Sequence, residues 1–380
     1  MIPRHRFDLR AEDLGEAIRL SLSWRQTGAR VERQWAPGTI ACLSVRSGFD
    51  LLLSALALPR GSQVLVSAVT IPDMIGLLES HGLVPIPVDL DPETLELCPR
   101  SLAAARTHET RAILVAHLFG SRISLEPALS LGLPVWEDCA QAFCGPSFTG
   151  HPAAQVSMFS FGLIKTSTAL GGALMVVRDD RLEAGMRAIE SRWPAQPDRE
   201  LGRRALKVLA LQLLGQPVCL DGFVALCRLL GLDYDRVLRQ STRSFPANRL
   251  LESIRRRPSP ALLEFLARRL AAYDPTRLES RRRFRAAFLA SLPPRVCWPG
   301  RGANVHHHWV VPVLARERLT TLRQAGFDAT QGSSLVVVPS REGAQPAHQA
   351  HRMLAETIYL PLHPDLSPTQ LSRLRQSLLA

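Results

Sequence analysis

Only two of the 46 basic residues are lysine, at positions 165 and 207; the other 44 are arginine. An arginine keeps its proton, whereas a lysine amine can lose it and attack a carbonyl. Each lysine is therefore a candidate nucleophile from composition alone. Lys207 lies in a basic, leucine-rich run and reads as a surface residue. Lys165 closes the stretch Phe159-Ser160-Phe161-Gly162-Leu163-Ile164-Lys165 and is followed by Gly171-Gly172. Two further segments suit it. Asp138 ends the apolar run Val135-Trp136-Glu137 and leads into Cys139-Ala140-Gln141, and Ser47-Gly48 stands before the apolar run from Leu51. Taken singly, a Ser-Gly pair is a helix cap, an aspartate after a strand is an N-cap, and a lysine is solvated. Taken together, they supply an amine for a Schiff base, a carboxylate for a ring nitrogen and a helix start for a phosphate. That set suits pyridoxal phosphate.

Such groups converge only if a fold brings them to one edge, and the first half of the chain has the pattern of one that does. Short β-branched runs at Gln63–Ser67, Leu83–Val88, Arg111–Ala116, Pro134–Glu137, Val156–Phe161 and Ala173–Val177 alternate with helical stretches at Asp13–Ser23, Leu51–Leu58 and Pro72–His81. This predicts an α/β fold with a buried, mainly parallel sheet, whose ligands gather where the strands end. From Arg199 to Leu251 the pattern is helical and basic, with helices expected over Arg203–Leu214 and Val218–Leu230 around Gly215-Gln216-Pro217. Helices follow at Ala261–Ala272 and Arg277–Ala290. Strands at His308–Leu314 and Ile358–Pro361, with helices at Leu319–Ala325 and Pro368–Leu379, predict a small α+β unit. The expected division is a large domain over 1–198, a helical insertion over 199–257, and C-terminal helices with a small domain over 258–380.

The order of these segments resembles the fold-type I, pyridoxal phosphate-dependent sugar aminotransferases typified by DegT and StrS. Val135 to Gln141 (VWEDCAQ) is similar to that family's EDAAQ, and Phe159 to Lys165 to its strand-then-lysine segment. Gly61-Ser62-Gln63-Val64, Pro85 to Leu90, His117 to Gly120 and Leu360 to Pro364 add weaker matches. The resemblance implies that Lys165 is the internal-aldimine lysine and proton shuttle and that Asp138 pairs with the ring nitrogen. It places Gln141 near the 3-hydroxyl, and Ser47, Ser160 and the amides of Gly48 and Phe49 on the phosphate. It implies a homodimer with shared sites, for which Arg256 or Arg257 is the candidate partner-subunit contact. It also implies transfer of an amino group from an amino acid, glutamate first, to a keto sugar carried on a nucleotide. The chain departs from the family pattern at Phe49, where threonine is usual, at Ile71, where an aromatic residue stacks on the ring, and at Phe143, where histidine is usual. These departures leave open a non-sugar or lipid-linked ketone acceptor, or a non-catalytic binding protein that keeps the fold.

The remaining features bound the class. The net charge is +12, and 18 arginines plus Lys207 against eight acids between Arg199 and Arg285 account for +11 of it. The 199–251 part of this block is expected to be a packing layer, a surface touching anionic lipid, or a site for substrate phosphates. Arg281-Arg282-Arg283-Arg285 reads as a solvated helix face, and nucleic-acid binding is not expected. His306-His307-His308 would alternate sides of a strand, so no metal site is expected there. Seven cysteines, an odd number without a CxxC pair, argue against a disulfide framework and for a reducing, cytoplasmic setting.

Overall fold

The computed structural model describes residues 1–4, 6–23, 30–242, 245, 249–332, 334–340 and 345–380. Positions 243–244 and 246–248 of the basic block lie outside the described residues.

Seven strands form the central sheet: β1 (Thr39–Cys42), β2 (Gln63–Ser67), β3 (Val84–Val88), β4 (Thr110–Ala116), β5 (Val135–Asp138), β6 (Val156–Ser160) and β7 (Ala173–Val177). Their spatial order is β1-β7-β6-β5-β4-β2-β3. The run from β3 to β6 is parallel, and β7 is antiparallel to both β6 and β1. Strands covered on both faces need apolar side chains in both directions, which is why these runs are continuous rather than alternating. Val64 and Val66 face one helical layer, made in part by α2 (Val45–Leu56) and α3 (Pro72–Ser80). Leu65 faces the opposite layer, with Leu102, Ala350 and Met353. Over β1, β6 and β7 that opposite side is covered by α1 (Ala11–Ser21), α4 (Arg199–Leu214) and α7 (Pro260–Ala271). Strands β4, β5 and β6 point the same way and end at Ala116, Asp138 and Ser160, so the loops after them share one edge.

After α4 the chain turns by 90° at Gly215-Gln216 into α5 (Pro217–Leu229), and α6 (Tyr234–Thr242) follows. Helix α8 (Pro275–Ala290) leads to the C-terminal part, where Pro312–Leu314 pairs antiparallel with Thr357–Tyr359 and α9 (Pro368–Leu379) caps a fourth core cluster. The strand expected over His308–Leu314 is thus shorter, because His308 adopts a left-handed backbone (φ 48°) that breaks extension there. No single helix among the described residues is long and apolar enough to cross a membrane. All seven cysteines are free.

One buried ionic cluster ties the N-terminal segment to α6 and the C-terminal part. Arg4 donates to both oxygens of Asp328, at 2.5 and 2.8 Å, and pairs with Asp235. Arg323 also reaches Asp235, at 2.7 Å. Burial opposes ionisation of Asp235, but Arg4 and its neighbours outweigh it and hold the carboxyl below its usual range. Its stabilising contribution is therefore full above that range and is lost as pH falls through it. Arg4→Gln leaves two buried carboxylates short of a cation and should cost about 3–5 kcal/mol. Urea unfolding at neutral pH checks this, and the deficit relative to wild type should shrink on acidification.

Candidate active site

Lys165 lies in the turn that follows β6, with its amide donating to Gly162 O at 3.0 Å. Its amine is enclosed and sits 4.1 Å from the centroid of the Trp309 ring. The ring is fixed by its own Nε1–H, which donates to Ile164 O at 3.1 Å, and its backbone packs on Gly120. Gly120 has φ 100°, and a Cβ there would lie 2.4 Å from Trp309 N, so only glycine lets the two loops meet. Burial pushes Lys165 down to about 8, against the opposing pull of Asp138 and with help from the positive charge of Arg46. Asp138 ends β5, and its Oδ1 accepts from Ala140 N at 2.9 Å. Burial raises it, while Lys165, His117 and Arg46 draw it back. An amine, an acid and a cation thus act on one another at the carboxyl edge of the sheet.

The neighbouring Glu137 serves a structural purpose. It accepts from Ser157 Oγ at 2.6 Å, His151 N at 2.8 Å and the His117 ring at 2.8 Å. Despite burial, these bonds hold it down to about 2. His117 Nδ1 accepts from Ile123 N, which leaves Nε2 to donate to Glu137. Cys139 lies within reach of this pair, but both histidine nitrogens are already engaged by the protein. Gln141 Oε1 accepts from Phe119 N at 2.8 Å, which fixes the loop carrying Gly120.

The helix start differs from the sequence expectation. The N-cap of α2 is Ser44, whose Oγ accepts from Ser47 N at 3.1 Å. Ser47 is fully buried in the first turn, with its hydroxyl 3.0 Å from that of Ser44. The Gly48 amide already donates to Ser44 O, and Phe49 is a core residue set edge-on to Trp136. Gly48 instead answers a packing need, since a Cβ there would lie 2.3 Å from Met175 Sδ. These two amides belong to the helix ladder and do not form an anion cradle. The amides without an intrahelical acceptor are those of Val45 and Arg46, one turn earlier. Arg46 also brings a side chain: its Nε pairs with Asp73 and its guanidinium lies 5.9 Å from the Phe245 ring centroid. Ser160 is half-buried at the end of β6, with Oγ 3.5 Å from Gly162 N. Ile71 caps α3 and packs on the core. Arg256 is exposed and is not among the groups gathered around Lys165.

Helix α8 departs further from expectation. Arg282 and Arg283 do face outward and pair with Glu279 at 2.7 Å. Arg281 and Arg285 turn inward. Arg281 donates to Thr166 Oγ1 at 2.9 Å, while its buried Nε has no hydrogen-bond partner among the described residues. Arg285 donates to the carbonyls of Leu362, His308 and Trp309, and burial without a carboxylate pushes it down to about 9. Arg122 lies 4.6 Å from the Phe148 ring centroid, and its buried Nε is likewise unpartnered. Burial and nearby cations push His307 down to about 4. His306 and His308 stack at 4.2 Å.

The residues present fit pyridoxal phosphate: an enclosed amine of lowered basicity, an acid beside it, and a helix start with free amides, a serine cap and an arginine. Of the residues expected from the sequence, the structure brings Lys165 and Asp138 together with Ser160 at the end of β6; Arg46, Trp309, Arg122 and Arg281 were not among those expectations. Only Arg46 had a local signal, as the second residue after a serine that caps a helix.

Two variants should move Lys165 in opposite directions. Asp138→Asn removes the charge that favours the ammonium and lowers its pKa; Arg46→Gln removes a repelling charge and raises it. The rate at which protein freed of cofactor takes up pyridoxal phosphate should rise with pH through about 8 in wild type. Stopped-flow absorbance should place the midpoint lower in the first variant and higher in the second.

Residues 36–215 match the model of the DegT/DnrJ/EryC1/StrS aminotransferase family. Solved structures align along nearly the whole chain. The sugar aminotransferase CalS13 of Micromonospora echinospora is 20% identical, with 99% of each chain covered and a TM-score of 0.65. Helicobacter pylori PseC, an aminotransferase of pseudaminic acid biosynthesis, is 14% identical, covering 100% of this chain and 98% of its own at 0.68. Escherichia coli GDP-4-keto-6-deoxy-D-mannose-3-dehydratase, solved with hydrated pyridoxal phosphate, is 16% identical, covering 100% and 99% at 0.69. These likenesses agree with the fold-type I expectation. Over residues 36–215 the chain is similar to the DegT/DnrJ/EryC1/StrS aminotransferase family.

Proposed function

We propose that this enzyme moves an amino group from glutamate to a ketone on a nucleotide-linked sugar, with Lys165 as the residue that bonds the cofactor. The observation that carries this reading is the enclosed Lys165 amine between Asp138 and Trp309. When bound, pyridoxal phosphate supplies an electron sink for the carbon that loses or gains a proton. Lys165, with a pKa near 8, can hold or release that proton at Nζ close to neutrality. Asp138 would keep the ring nitrogen protonated. Ser44, Ser160, the Val45 and Arg46 amides and the Arg46 guanidinium would hold the phosphate. Trp309, held by the Ile164 carbonyl, covers one side of the amine. Dimerisation, with Arg256 reaching a partner's site, belongs to this reading.

The likeness to a dehydratase means that the fold alone does not choose the reaction. Lys165 favours amino transfer because it provides both the bond to the cofactor and a basic nitrogen. The nucleotide linkage is supported by the cations that lack carboxylate partners, Arg281 and Arg122, next to Thr166 and the Gly120 loop. Unbalanced guanidinium groups beside a reacting centre suit phosphate oxygens. On this reading α8 and Arg122, rather than the 199–251 block, take the acceptor's phosphates. A lipid-linked ketone is the second reading, favoured by the exposed apolar side chains of α4 and α5.

Absorption spectra of wild type and Lys165→Ala with pyridoxal phosphate test the first half. Wild type alone should show the long-wavelength band of the lysine-bound cofactor, and glutamate should bleach it. A band that survives Lys165→Ala, or one that glutamate leaves unchanged, overturns the assignment of residue or donor. For the acceptor half, Arg281→Gln should raise the KM of the nucleotide-linked sugar about tenfold or more and leave the glutamate half-reaction unchanged. Equal loss in both halves would remove Arg281 from the acceptor site.

A further inference from the structure

Nine large hydrophobic side chains are exposed among the described residues, and eight fall between positions 206 and 232. On α4 they are Leu206, Leu209 and Leu213, spaced three and four apart and so on one stripe. The stripe that packs on α1 and α7 is a separate one, containing Leu201, Ala205 and Val208. On α5 the exposed set includes Val218, Leu226 and Leu229, again one stripe, while Leu220, Val224 and Cys227 are buried. Val218 and Leu229 are each 83% exposed. A folded chain gains nothing from holding eight such residues in water in one place, and a patch of this kind marks a contact. Behind it a cavity of about 80 Å³ opens among Phe7, Leu211, Leu214, Leu220 and Leu238.

The charge around the patch selects the partner. Arg199, Lys207, Arg228 and Arg236 are exposed beside it. Of the acids on α4 and α5, Glu200 is paired with Arg203 at 2.7 Å and Asp221 with the N-terminal amine at 2.6 Å. A second copy of the chain using the same face would set this basic rim against itself, since a two-fold interface pairs each patch with its own image. An anionic bilayer offers the opposite charge at its surface and an apolar interior beneath. Two short helices at a right angle can both lie in that plane without crossing it.

We propose that the bent α4–α5 pair is a peripheral membrane-binding face that seats its leucine stripes in the headgroup region of an anionic leaflet, with the basic residues on the lipid phosphates. The inner side of α4 touches the active-site loop, because Arg204 donates to Leu170 O at 3.3 Å. The face therefore holds the catalytic centre at a fixed height above the lipid.

The test is co-sedimentation of the full chain, loaded with pyridoxal phosphate, with phosphatidylcholine vesicles with and without phosphatidylglycerol. Wild type should partition onto the anionic vesicles. The triple variant Leu213→Ser, Val218→Ser, Leu229→Ser should bind about tenfold or more weakly. The variant Lys207→Gln, Arg228→Gln, Arg236→Gln should lose most of the preference for phosphatidylglycerol, a drop of about tenfold or more. Both variants should keep the glutamate-dependent spectral change, which separates loss of the face from loss of the enzyme. Wild type left in the supernatant with either vesicle, or variants that bind as wild type does, would overturn the proposal. So would light scattering showing that the serine variant turns a dimer into a monomer, since a second copy would then cover the face.

Discussion

An ammonium group moved out of water costs several kcal/mol unless an anion meets it or its proton leaves. The site is arranged around that constraint at Lys165. Asp138 at the end of β5 offers the anion, Arg46 opposes it, and burial lowers the amine's basicity to about 8. Trp309 closes the enclosure from the C-terminal part of the chain. Its backbone can approach only because Gly120 has no side chain, and Gln141 pins the loop on which Gly120 sits. Residues from four separate stretches thus converge on one nitrogen, and the parallel sheet supplies the shared edge that lets them do so.

Two of the regions of positive charge serve different ends. Around Arg4 and Arg269, cations are buried against acids and backbone carbonyls and hold layers together. Along the inner face of α8, Arg281 and Arg285 are buried with carbonyl and hydroxyl acceptors but no carboxylate. The charge there is left for something else to balance. The same residue type, used 44 times, is therefore informative only through its partners.

Much of the architecture is legible in the chain. Runs such as QVLVS and RAILVA are short, β-branched and continuous, as strands covered on both faces must be, and the structure has them as β2 and β4. Asp138 stands out in the sequence because it directly follows such a run, and Lys165 because it follows one after a short Gly-Leu-Ile turn. The start of α2 was misplaced because Ser47-Gly48 looks like an anion cradle. The physical discriminator was the extended Ser44 three residues earlier, which caps the helix and turns Gly48 into a packing residue. Trp309 and Arg281 were invisible for another reason. Their roles come from loops more than a hundred residues away, and nothing in their own neighbourhoods distinguishes them from core or surface. The arginine run on α8 reads as a solvated face because its mean polarity is high, yet only Arg282 and Arg283 face outward while Arg281 and Arg285 turn inward.

The scarcity of lysine has a practical side. Apart from the chain terminus, the two side-chain amines occupy opposite environments: one is enclosed against Trp309, and the other is exposed on α4 next to Leu206. On the proposed bonding of the cofactor to the first, an acylating dye has a single side-chain target, Lys207. The chain thus carries a natural attachment point for a reporter at the rim of its most apolar surface, without any engineered cysteine.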